Sequence, residues 1–139
     1  MSAWSSFAEI IREFIQLFDA LIRVEQTKLE SAVENKVSFV EECMNKEQAA
    51  ILKLKGLEQK REAEQQKLNA EGLTFRQILG KVPEEDALML KPLFEELSAK
   101  VQDFQSVSSS ARDIIELNLH MIHTSLKADD DAHFTSRSV

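Results

Sequence analysis

The chain has 139 residues, room for one domain, and carries 17 Lys and Arg against 24 Asp and Glu for a formal net charge of −7. That balance argues against a nucleic-acid partner, which rewards clustered cations, and against an anionic membrane surface. Three Gly, two Pro and a single Cys leave long stretches without helix breakers and exclude an intrachain disulfide.

The first predicted segment spans residues 4–69. Phe7, Ile10, Phe14, Leu17, Leu21 and Val24 follow the spacing of one helix face, and Ile11, Ile15, Phe18 and Ile22 widen it. This stretch is more apolar than a two-helix seam requires. The spacing slips at Leu29, Val33 and Val37, and Val37, Val40, Met44, Glu47, Ile51 and Leu54 then return to steps of three and four. Such a slip marks a stutter in one continuous helix or a break between two, and Ser31 and Asn35 suit either. From Glu58 to Lys67 the residues are almost all polar, which reads as a solvated helix laced with charge pairs.

Residues 70–83 form the connector. Gly72 is suited to ending the first long helix, and Thr74 to capping a short helix, Phe75 to Leu79, that stops at Gly80. Pro83 opens the next helix, where a missing N–H costs nothing, and Glu84, Glu85 and Asp86 sit at its positive end. That helix is expected over 84–127, with a kink or break at Pro92. Its seam is Leu90, Phe94, Leu97, Val101, Phe104, Ser108, Ala111, Ile115, Asn118, Ile122 and Ser125. Residues 128–139, with Asp129, Asp130 and Asp131, read as a disordered acidic tail.

No segment alternates like a half-buried strand. The predicted fold is therefore all-α: an elongated antiparallel helical hairpin, or coiled-coil-like bundle, formed by residues 1–127 as one domain. Pairing the two long helices across the connector leaves the first ~25 residues overhanging by ~35 Å. These are the most hydrophobic in the chain, so they fold back as a third helix, dimerise, or meet a partner. Trp4 and Phe7 left bare would be a sticky patch. The N-terminal residues lack a basic signal-peptide region and no stretch suffices for a membrane span, which places the expected location in the cytoplasm.

No catalytic constellation emerges, and we expect neither enzymatic activity nor a cofactor. His120 and His123 share a helical face, with His133 beside the tail aspartates, but two His at this spacing make only half a metal site, so no metal is expected. Cys43 is best read as a small apolar filler. Glu41/Glu42, Glu84/Glu85 and Glu95/Glu96 are sequence neighbours that point to different sides of a helix. Gly80-Lys81 lacks the remainder of a phosphate loop. The feature with functional weight is an extra stripe beside the last seam, Ile114, Leu117 and Met121. It suits either a partner's helix or the folded-back N-terminal helix.

In order and spacing, three elements resemble the FlgN-type flagellar export chaperones over roughly residues 7 to 126. They are Leu57-Glu58-Gln59-Lys60-Arg61; Gly72-Leu73-Thr74-Phe75-Arg76-Gln77-Ile78-Leu79; and Ile114-Ile115 followed by Asn118. The chain departs from the family pattern where paired Asn fall on Ser108 and Ala111. It also has no Tyr, leaving Phe134 as the nearest tail aromatic. The resemblance implies a cytoplasmic chaperone that binds hook-associated proteins and delivers them to the type III export apparatus. It places the binding surface in the C-terminal helical region. The alternative is a structural coiled-coil protein that self-associates through Trp4, Phe7, Ile11 and Phe14; a homodimer is left open.

Overall fold

The computed structural model describes residues 2–108. Among the described residues there are four helices and no strand: α1 (Ser5–Val33), α2 (Val37–Lys67), α3 (Phe75–Lys81) and α4 (Glu84–Val107). At 1.5 Å per residue, α1 and α2 are each roughly 45 Å long and α4 about 36 Å, so the bundle is elongated.

The slip near residue 35 is a break. Asn35 adopts a left-handed conformation, φ 58°. Its N–H donates to the Ala32 carbonyl at 3.1 Å, and the Lys36 N–H reaches back to Ser31 at 2.8 Å. This paired closure satisfies the last carbonyls of α1 and reverses the chain. The same device ends α2: Asn69 has φ 56°, its N–H bonds the Gln66 carbonyl, and the Ala70 N–H bonds that of Gln65. Asn69 therefore performs the role expected of Gly72, which lies further on in the connector. Asn tolerates this conformation because its short polar side chain makes local hydrogen bonds.

Thr74 caps α3 as expected. Its hydroxyl accepts from the Gln77 N–H at 3.3 Å, and the Gln77 side chain accepts from the Thr74 N–H at 2.9 Å. The helix continues through Gly80 to Lys81 rather than stopping at Leu79. Nor does α4 break at Pro92, which sits inside it. The carbonyl that Pro92 leaves unpaired is that of Leu88; both residues are on the exposed face, so this carbonyl is open to solvent.

The N-terminal helix does fold back, and it becomes the centre of the bundle. Both α2 and α4 have their main packing against α1. The α2 helix is antiparallel to it, with Lys60 near Glu13 at 3.6 Å and Lys28 near Glu47 at 3.3 Å. The α4 helix is parallel to it, with Lys100 bonded to Asp19 at 3.0 Å. The Lys100 ammonium holds the Asp19 carboxyl below its usual range. A helix flanked on two sides needs a wide apolar face. This accounts for Phe7, Ala8, Ile10, Ile11, Phe14, Ile15, Phe18 and Leu21 all being buried.

Aromatic rings lock the base of the bundle. Phe7 meets Trp4, Phe75 and Phe94 edge-on, with centroids 5.3, 6.2 and 6.1 Å away. Phe75 of α3 stacks on Phe94 of α4 at 3.9 Å. Higher up, Phe18 packs edge-on against Phe104 at 5.8 Å. Trp4, Phe7, Ile11 and Phe14 are thus inside the monomer rather than on its surface.

Candidate functional site

Two places stand out from the packed core. The first is a buried polar clasp at the lower end of α2. Glu58, Arg61 and Gln65 continue the four-three spacing of Glu47, Ile51 and Leu54, so they face inward, and all three are buried. Arg61 Nε donates to Glu58 Oε1 at 2.8 Å, and its terminal nitrogens donate to Glu58 Oε1 and Gln65 Oε1. The Gln65 amide then donates to the carbonyls of Ala70 at 2.9 Å and Leu73 at 3.1 Å. A charge pair on α2 therefore orients the side chain that holds the connector in place. The expectation of a fully solvated helix from Glu58 to Lys67 is corrected here, because every third or fourth polar residue completes the seam.

The second place is the opposite end. There α1 and α2 extend past the end of α4, and the large apolar side chains are uncovered: Leu29 is 64% exposed, Val33 76% and Met44 47%. Leu29, Ala32, Val40, Met44 and Val107 line a groove of about 490 Å³, floored by Glu25, Lys28 and Glu47. Lys28 lies 2.9 Å from Glu25 and 3.3 Å from Glu47. That bridge explains how Glu47 occupies a seam position. Leu29, Val33 and Val37 read as seam residues in the sequence, yet they are exposed because no helix covers the two-helix tip among the described residues.

The FlgN protein family model matches residues 1–136. The chain belongs to the FlgN family. No curated protein and no solved structure matches it. A FlgN protein is a flagellar export chaperone, so this chain binds flagellar export substrates. Among the described residues no helix is long and apolar enough to cross a membrane. None of their His, Cys, Asp and Glu form a group able to hold a metal ion.

For this FlgN chain, the Leu57–Arg61 element is the polar clasp, and the Gly72–Leu79 element is the connector and α3 that the clasp secures. Cys43 is buried. Glu41, Glu42, Glu84, Glu85, Glu95 and Glu96 are exposed, consistent with solvation. The partner stripe Ile114, Leu117 and Met121 lies outside the described residues, as do His120, His123 and His133, the seam from Ala111 to Ser125, and the tail. The groove at the tip escaped the sequence reading. Its signal was the slip at Leu29–Val37, where apolar residues step away from the buried face.

The clasp makes a pH-dependent contribution. Burial raises the Glu58 carboxyl above its usual 4.5, against a partial lowering by the Arg61 hydrogen bond. Its Oε2 has no hydrogen-bond partner among the described residues. The folded state thus binds this proton more tightly than the unfolded state. The associated stabilisation is present in full below the unfolded value and lost as pH rises through the folded one. In urea titrations across this range, the stability of the parent relative to Glu58→Gln is expected to fall as pH rises. A difference independent of pH, or rising with it, contradicts the assignment.

Proposed function

We infer that this FlgN protein is a cytoplasmic chaperone of hook-associated proteins, the hook–filament junction components, and passes them to the type III export apparatus. Its client element is an amphipathic helix near the client's C-terminus, and Ile114, Leu117 and Met121 receive it. The observation that carries this reading is the position of the surplus apolar surface. The N-terminal surplus is consumed inside the monomer, whereas Leu29, Val33, Met44 and Val107 are uncovered at the tip where α4 ends. The sequence resumes there with the stretch containing the stripe.

Helix-in-groove capture suits both partners. An apolar face that later packs into an assembled structure is shielded before export, and the stripe of Ile114, Leu117 and Met121 gains burial against it. Each fully buried Leu or Met side chain stabilises the complex by about 1.5–3 kcal/mol. Ordering the client helix opposes this by roughly 2–5 kcal/mol, so several anchors are needed.

The test is a binding titration of the purified chain against a hook-associated protein. Leu117→Asp and Met121→Asp are each expected to weaken binding about tenfold or more, with helicity by circular dichroism unchanged. Intact binding in both variants removes the stripe as the site. No binding by the parent chain to any hook-associated protein removes the function.

A further inference from the structure

The α1–α2 hairpin continues beyond the last turn of α4 and leaves a ledge. From Glu25 to Val33, α1 runs on for about two turns, ~12 Å, with no α4 beside it. We propose that this ledge is the seat of the chain's own segment 109–118, docked in the groove of Leu29, Ala32, Val40 and Met44 through Ala111 and Ile115.

The register between α1 and α4 brings the end of α4, and so the start of that segment, to the ledge. Along this parallel pair, contacts join Ser2 to Asp86, Asp19 to Lys100 and Glu25 to Ser108, separations of 84, 81 and 83 positions. That offset brings the end of α4 level with Glu25, where the ledge begins. The buried face of α4, Leu90, Phe94, Leu97, Val101 and Phe104, continues in steps of four and three through Ser108 to Ala111, Ile115 and Asn118.

The chain also leaves α4 at the foot of the groove. Ser108 is extended, with φ −115° and ψ 130°. Its hydroxyl donates to Glu25 Oε1 at 3.2 Å, tethering the chain beside the groove floor. Two residues later, Ser110 and Asp113 have the spacing of a new helix start ahead of Ile114-Ile115. A segment so tethered docks at high effective concentration, so a small apolar contact suffices to hold it.

The seat also sorts the apolar residues of the segment. On a helical wheel, Ala111, Ile115 and Asn118 lie about 100° from Ile114, Leu117 and Met121. Docking by the first set presents the second to the client, and in this respect the inference rests on the function proposed above. The docking itself is a property of the chain alone.

The experiment therefore uses the purified full chain, first without client and then with a hook-associated protein added. Hydrogen exchange is followed in the peptide covering 109–122, for the parent, Leu29→Asp, Met44→Asp and Leu52→Asp. All three positions are exposed, so the core is untouched, and Leu52 is not among the groove residues. The parent amides are expected to exchange more slowly than those of the free peptide. Each groove variant is expected to accelerate them about tenfold or more, while Leu52→Asp leaves them unchanged. Four results overturn the seat. They are exchange at the free-peptide rate in the parent; protection unaltered by Leu29→Asp and Met44→Asp, or lost equally with Leu52→Asp; protection that grows with protein concentration, which assigns the groove to a second copy; and protection arising only when a hook-associated protein is added, which assigns it to the client.

Discussion

Phe7→Ala is expected to lower the unfolding free energy by about 3–5 kcal/mol, a large part of the stability of a domain this size. Phe7 is fully buried and meets Trp4, Phe75 and Phe94, so three rings from separate parts of the chain lose a packing partner together. Trp4 is the sole tryptophan in the chain and reports the change directly. Its emission is expected to move to the red in folded Phe7→Ala as water reaches the ring, while urea denaturation gives the loss of stability. A loss under about 1 kcal/mol with unchanged emission contradicts the central position of this ring.

Arg61→Ala is expected to cost about 3–5 kcal/mol for a different reason. Truncation leaves the Glu58 carboxylate buried without its cation and releases the Gln65 side chain, which holds the connector through the Ala70 and Leu73 carbonyls. The pair is expected to behave as a unit. Removing both charges, as in Glu58→Met with Arg61→Leu, recovers most of the loss, because an apolar pair of similar volume has no desolvation penalty. A double-mutant cycle measures this coupling. Additive effects of the two single changes indicate that the groups do not share a network.

The all-α architecture was legible because helical periodicity and the scarcity of Gly and Pro are local properties. The broad apolar face of α1 signalled a further cover, whether by folding back, by a second copy or by a partner, since Phe7, Ile11, Phe14 and Phe18 exceed the needs of one neighbour; the packing of α2 and α4 on α1 decides for the first. The sequence did not reveal that α1 lies at the centre. Periodicity describes a face, not which helix covers it. The polar clasp was missed for a related reason: Glu58, Arg61 and Gln65 keep the seam spacing, but residue type alone marked them as solvated. Only their mutual hydrogen bonds make burial tolerable, and those depend on the connector's carbonyls being nearby. The left-handed turn at Asn69 was assigned to Gly72 because glycine is the usual choice; the closing bonds to Gln65 and Gln66 decide for asparagine. The groove at the tip comes from the relative lengths of α1 and α4, which no local pattern encodes.

The central position of α1 has a consequence during synthesis. The ribosome makes the greasiest helix first and its two covers afterwards. Residues 37–67 arrive soon and cover one flank as a local hairpin. The other flank, with Phe7 and Phe18, waits for Phe94 and Phe104, near the end of the described chain. For most of its translation the nascent protein therefore displays an uncovered aromatic strip, and the bundle closes only once α4 has emerged.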